Sequence, residues 1–219
     1  MDASKDSVFG ALLEVVRNLR EKIENFEDLT AISADHGKVL PIVGTEHLYV
    51  RKSYKDLYQS ITSTFKDHII SERQNRIVVT GTSGIGKSAF LVYFIVRLLF
   101  ESDADKPPII IFHEKQGSEC YLFGGTSILC QGVIKDFRDL LFLPQTWYLA
   151  DSSTKPELKS AKTVISASPK TLFEKYKEVM KAVVWTYYLA PWNLDELEVC
   201  RSICFENISE KLMRKLFAK

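Results

Sequence analysis

No stretch of this chain is apolar for long enough to span a bilayer. Its longest strongly apolar run, Phe90 to Phe100, is interrupted by Arg97 and falls well short of the roughly 20 residues required. The start, Met1-Asp2-Ala3-Ser4-Lys5-Asp6, lacks the basic segment and apolar block of a secretory signal. Cysteine is scarce. Cys120, Cys130, Cys200 and Cys204 contain no Cys-x-x-Cys, so a disulfide framework is excluded and reduced thiols are expected. His36, His47, His68 and His113 are scattered without metal spacing, and no zinc site is expected. No G-x-S-x-G occurs, which removes the usual serine-hydrolase reading. Charge of one sign is missing too. The 29 Lys and Arg residues face 28 Asp and Glu, a net charge of +1, so there is no overall basic field for nucleic acid. These absences predict a soluble intracellular protein that does not enter membranes.

What is present is ordinary globular material. The 219 residues are 46% hydrophobic and 11% aromatic, enough to bury a core and offset chain entropy. Leu12, Val16, Leu19, Ile23 and Phe26 recur at helical spacing and predict an amphipathic helix over residues 7–28, with a connector over 29–39. A helix is expected from Lys52 to His68 and an apolar one from Ser88 to Phe100. Strands are expected at 76–80, 109–113, 147–151, 163–166 and 183–188, with a hairpin over 120–130 turning at Gly124-Gly125. A further helical pattern runs from Leu172 to Lys181. Strands alternating with helices predict an α/β layer with a mostly parallel sheet.

Gly81-Thr82-Ser83-Gly84-Ile85-Gly86-Lys87-Ser88 fits G-x-x-x-x-G-K-[ST] in full, between an expected strand and an expected helix. The spacing has a physical reason. Gly81, Gly84 and Gly86 let the backbone curl so that successive N–H groups face a phosphate. The following helix adds its positive end. Lys87 can reach the β- and γ-phosphates, and the Ser88 hydroxyl can ligate Mg²⁺. Thr82, Ser83 and Ile85 complete the cradle. ATP and Mg²⁺ are the cofactors this predicts.

Such a site needs a carboxylate for the metal shell. Asp151 ends an apolar strand in the Walker B pattern and is assigned to Mg²⁺ with Ser88. Ser152 follows where many ATPases carry Glu, so Glu114, after the 109–113 strand, is the candidate base; a solvated loop Glu is the plainer alternative. Ser166 and Ser168 are candidate γ-phosphate sensors. Strand 109–113 falls between the P-loop strand and the Asp151 strand in sequence, which suits the P-loop class with an extra strand between those two in the sheet. Val43 and Gly44, in Leu40-Pro41-Ile42-Val43-Gly44, are candidates for the base pocket, with core packing as the alternative. Residues 151–181 carry seven lysines against four acids, read as a solvated helix face or a nucleic-acid contact. No arginine is placed by motif as a finger; Arg51, Arg97 and Arg138 are the candidates for action in trans.

The segment Arg76 to Phe94 resembles the ATPase domain of the Crinkler and retrotransposon hot spot proteins, which are effector-type or transposon-derived. The resemblance also covers Leu40 to Gly44, Tyr49-Val50-Arg51-Lys52-Ser53-Tyr54, Trp147 to Asp151, Ser168-Pro169-Lys170 and Pro191-Trp192-Asn193-Leu194-Asp195-Glu196-Leu197. It implies an ATPase module, often joined to a nuclease-like domain, secreted to a host cell and acting in its nucleus. Nucleic acid or a host protein are the partners it implies, beside self-association. No Crinkler-type translocation segment is recognisable, and the chain stops soon after Pro191-Trp192. The expected architecture is therefore a three-layer P-loop NTPase fold with a mostly parallel five-stranded sheet. An N-terminal helix and connector occupy 1–39, the nucleotide core 40–190, and a truncated helical lid 191–219. The expected function is Mg²⁺-dependent ATP binding with slow hydrolysis. An ATP-binding switch without turnover, or a small-molecule kinase, are the alternatives.

Overall fold

The computed structural model describes residues 9–67, 75–103, 105–114, 119–125, 127–151, 156–157, 159–176, 181 and 185–217. Helix α1 spans Gly10–Lys22, followed by a 3-10 turn at Phe26–Asp28. Strands β1 (Ala31–Ser33) and β2 (His47–Tyr49) pair antiparallel as a small ribbon. Helix α2 (Lys52–Asp67) leads towards β3 (Arg76–Thr80), α3 (Lys87–Phe100) and β4 (Ile109–His113). A hairpin follows, β5 (Glu119–Gly124) and β6 (Ser127–Val133), then the short α4 (Arg138–Leu141). Next come β7 (Trp147–Asp151), β8 (Lys162–Ser166), α5 (Pro169–Lys175) and β9 (Trp185–Tyr188). Two helices close the chain, α6 (Leu194–Cys204) and α7 (Glu210–Phe217).

The main sheet has seven strands in the order β6-β5-β4-β7-β8-β3-β9. The five from β4 to β9 are parallel, and β5 and β6 run antiparallel at one edge. The expected five-stranded sheet is thus corrected to seven. The hairpin pairs with β4 through five residue pairs, Ile109↔Gly124 to His113↔Cys120, and extends the sheet instead of standing apart.

Both faces are covered. Strand residues point alternately to opposite sides. Ile77, Val79, Ile110, Phe112, Trp147, Leu149 and Val164 join one apolar cluster with α1, α2 and α3. Val78, Ile111, Tyr148, Ala150 and Ile165 join a second with Phe137, Leu141, Leu172 and Tyr176. This makes three layers. The centre explains the composition: β3 and β7 are buried at every position, as strands covered on both faces must be. Helix α3 is apolar nearly all round and is buried accordingly. Helix α2 buries Tyr54, Leu57, Tyr58, Ile61 and Phe65, one helical stripe.

The N-terminal helix starts at Gly10 among the described residues and ends at Lys22, short of residue 28, because Ile23 is extended and Asn25 caps the 3-10 turn. It packs on α3. The Arg20 guanidinium donates to the Leu99 carbonyl, to Ser102 O at 2.9 Å and to Ser102 Oγ at 2.8 Å. The expected connector over 29–39 contains β1. The helix expected over 172–181 is observed as Pro169–Lys175, with Pro169 at its first turn and Ser168 as its cap. Residues 177–180, 183 and 184 of the expected helix and strand, with His68 and Ser7, lie outside the described residues. Among the described residues no helix is long and apolar enough to cross a membrane.

Candidate functional site

The chain leaves β3 and β8 in opposite directions. After β3 it crosses through α3 on one face towards β4; after β8 it passes through α5 on the other face towards β9. The carboxyl ends of β3 and β8 therefore flank the switch point of the sheet, where open α/β sheets hold their ligands. The loop 81–86 and the turn Ala167-Ser168 both rise from this crevice, and Ala167 N donates to Val79 O at 3.0 Å.

The loop takes the shape that its glycines allow. Gly84 sits at φ +75° and Gly86 at φ +100°, both in the left-handed region that disfavours side chains. Gly86 directly precedes α3, which has no side-chain cap at its N-terminus. Helix α3 thus presents N–H groups and its positive end to the loop. Lys87 is mostly buried, and its ammonium reaches back to donate to Gly81 O at 2.9 Å and Thr82 O at 2.7 Å. Thr82, Ser83 and Gly84 are exposed, and Ser88 is half-buried in the first turn. Ile85 is buried in the core and anchors the loop's far side.

Asp151 ends β7, is almost fully buried, and is level with Ser166 of β8, which is level with Val79 of β3. Two strand spacings put its Cα about 10 Å from that of Val79. The strand between the loop strand and the Asp151 strand is β8; β4 lies on the outer side of β7. Because His113 pairs with Ala150, the next residue, Glu114, comes beside Asp151. Burial, with the charges of Glu119 and Asp151, holds the Glu114 carboxyl above its usual range. Tyr176, at the end of α5, also senses Asp151; burial first, and that charge second, push its hydroxyl up to about 12.

The two candidate sensors differ. Ser168 Oγ is taken as the cap of α5, accepting Thr171 N at 3.1 Å. Ser166 Oγ is buried without a hydrogen-bond partner among the described residues, and so is Thr80 Oγ1 just before the loop. Buried hydroxyls with unused capacity are uncommon, and these two stand at the same sheet edge as Asp151. Such a set fits phosphate oxygens or metal-bound water. Ser152 lies outside the described residues. Val43 and Gly44 lie in a tight turn closed by Gly44 N to Leu40 O at 3.0 Å, with Val43 packed against the core; the turn leads into β2 and on to Arg51.

Arg51 and Arg97 do not suit action in trans. Arg51 is wholly buried. It donates to Ile85 O at 3.2 Å, Ala190 O at 2.9 Å, Pro191 O at 3.0 Å and Glu196 Oε2 at 2.9 Å, and stacks over Trp192 at 4.1 Å. Arg97 is buried between Glu27, Glu101 at 2.7 Å and Tyr93 at 2.8 Å. Arg138 is exposed. Tyr54, Trp192 and Glu196 lie in segments that carry the family resemblance, yet nothing in the sequence assigns them a role. Their roles depend on contacts 32 to 145 residues apart, which no local pattern encodes.

No family model matches the chain. Two curated proteins do, Crinkler effector protein 15 and Crinkler effector protein 16 of Phytophthora infestans, each 25% identical over 170 residues. The chain is similar to Crinkler effector proteins. The matches cover 74% of this chain and 26% of each relative, so the chain spans about a quarter of the length of the curated relatives it matches.

Proposed function

We propose that the chain is a P-loop nucleotide-binding module of Crinkler type that binds ATP with Mg²⁺ and hydrolyses it slowly. The observation that carries this reading is the loop 81–86 at the switch point, closing on the N-terminus of α3, with Asp151 two strands away across β8. That strand order is the one expected of P-loop NTPases with a strand inserted between the loop strand and the acidic strand. The loop's N–H groups and Lys87 bind the phosphate chain. Ser88 and Asp151 would hold Mg²⁺, which would supply charge neutralisation to the phosphate chain. Glu114 orients and deprotonates the attacking water, while Ser166 contacts the terminal phosphate. The similarity to proteins named as effectors supports a secreted module acting inside a host cell; a host protein or nucleic acid is the partner proposed with that reading.

A switch that binds ATP with little turnover is the second reading. The burial of Arg51 and Arg97 favours it, since neither can reach a transition state in another copy. The test is nucleotide binding and hydrolysis by the unaltered chain, Lys87→Ala and Asp151→Asn. Lys87→Ala should sharply weaken ATP binding with or without metal, since it removes the charge facing the β- and γ-phosphates. Asp151→Asn should reduce the Mg²⁺-dependent part and spare metal-free binding. Equal ATP affinity in Lys87→Ala would remove the loop from the site.

A further inference from the structure

Two carbonyls of the loop are held from outside. Arg51 Nη1 donates to Ile85 O at 3.2 Å, and Tyr54 Oη donates to Gly86 O at 2.9 Å. Both donors are buried, Arg51 at 0% and Tyr54 at 1% exposure. Burial raises the Tyr54 hydroxyl pKa well above its ordinary value, so it stays a donor at any working pH. A trans peptide unit points its C=O and N–H in opposite directions, and no cis bond occurs here. With the Ile85 carbonyl turned to Arg51, the Gly86 N–H points the other way. The Gly86 carbonyl accepts both the first backbone bond of α3, from Phe90 N at 2.9 Å, and the Tyr54 hydroxyl, and together they hold the Lys87 N–H pointing the other way. The Gly86 N–H is therefore aimed by Arg51, and the Lys87 N–H by Tyr54 acting together with the first backbone bond of α3.

Arg51 is itself held. The Glu196 carboxylate accepts from Nε at 3.3 Å and Nη2 at 2.9 Å, and the same carboxylate caps α6 by accepting Asn193 N at 3.3 Å. The carbonyls of Ala190 and Pro191 and the Trp192 ring fix the rest of the guanidinium. This planar fork uses geometry that lysine cannot copy.

We infer that Arg51 and Tyr54 are positioning residues that aim the Gly86 and Lys87 N–H groups at a bound phosphate, and that Glu196 of α6 sets Arg51 for that task. This rests on reading residues 81–88 as the phosphate cradle. It makes the first turn of α6 part of the nucleotide site without touching the nucleotide. Preorganised N–H groups bind an anion without the cost of turning peptide planes on arrival.

The experiment is calorimetric titration of the folded chain with ATP and with inorganic pyrophosphate. The variants are Tyr54→Phe, Arg51→Lys, Glu196→Gln and the control Tyr58→Phe. Thermal midpoints are measured on the same samples. Tyr58 lies on the same helix, and its hydroxyl donates to Glu101 at 2.8 Å, not to the loop. Tyr54→Phe and Arg51→Lys should each weaken both ligands about tenfold, as one aimed hydrogen bond is lost. Glu196→Gln should weaken them severalfold. Tyr58→Phe should shift the midpoint and leave affinity unchanged. Should Arg51→Lys fail to fold, Tyr54→Phe and Glu196→Gln carry the same comparison. Affinities equal to the unaltered chain in Tyr54→Phe and Glu196→Gln, with only midpoints lowered, would overturn the inference and leave the cradle standing. Failure of the unaltered chain to bind either ligand would overturn the cradle itself.

Discussion

An alanine at position 86 would place its Cβ 2.3 Å from the Tyr54 hydroxyl, at a φ of +100° that side chains rarely adopt. The hydroxyl cannot swing away. Tyr54 packs against Phe90 and Tyr93 at ring distances of 5.6 and 5.7 Å and is bonded to the very carbonyl of Gly86. Gly86→Ala therefore combines backbone strain with a clash against an immobile group, and should cost about 2 kcal/mol or more. For a chain of this size that lowers the thermal midpoint by roughly 4–8 °C. Gly84→Ala provides the comparison. It meets the same kind of positive φ, +75°, but finds nothing within 4 Å. Calorimetry should rank Gly86→Ala well below Gly84→Ala. Equal midpoints would mean that the Tyr54 contact is not held in solution.

Strands β4 and β7 are joined by more than their ladder. His113 Nδ1, at the end of β4 just before Glu114, lies 2.7 Å from the Oη of Tyr148, which is three residues before Asp151 on β7. Burial holds the His113 pKa below its ordinary value near 6.5. The unfolded chain then binds more protons at this position than the folded chain does. Stability therefore rises with pH in this window: it is intact at pH 7 and declines as pH falls below about 6.5. Denaturant midpoints measured from pH 7 to 5 should fall, and the slope should flatten in His113→Gln whatever that variant's absolute stability. An unchanged slope would exclude His113 as the titrating group. These strands were also among the most legible elements. Ile109 to Phe112 and Trp147 to Ala150 are continuous apolar runs, and such runs in an α/β pattern have little alternative to central strands. The glycine loop was legible for a related reason, because its residues are adjacent in sequence. The β1–β2 ribbon was not. Three-residue strands are too short to show a period of two, and their pairing is made across thirteen intervening residues. The joining of the hairpin to β4 is likewise a tertiary choice. Arg51 and Glu196 look like ordinary surface charges until the fold buries one against the other.

Across the whole molecule, the proposed chemistry depends on what the fold brings to the mouth of the crevice and on what it keeps away. The loop, Asp151, Ser166 and Glu114 come from four strands whose carboxyl ends share one edge of the sheet. Burial and its acidic neighbours raise the pKa of Glu114 at that edge. A raised pKa makes it a better base once ionised, and its ionised form accumulates as pH increases through that raised value. Turnover should accordingly climb with pH and be lost below it. Glu114→Gln should reduce single-turnover hydrolysis by about a hundredfold, with ATP affinity unchanged. Arginine is what the fold withholds. Arg51 and Arg97 are both consumed inside the chain, which leaves Arg138, exposed on α4, as the one of the three that a neighbouring copy can present. An arginine finger contributes roughly 10³–10⁵ in rate where P-loop NTPases use one, so on the proposed reading a lone copy should bind ATP far better than it hydrolyses it. Affinity and single-turnover rate measured on one preparation decide the matter. A rate of about 1 s⁻¹ or faster in dilute protein would defeat this expectation. A slow rate that rises steeply with protein concentration, and no longer does so in Arg138→Ala, would identify a second copy as the source of the missing charge.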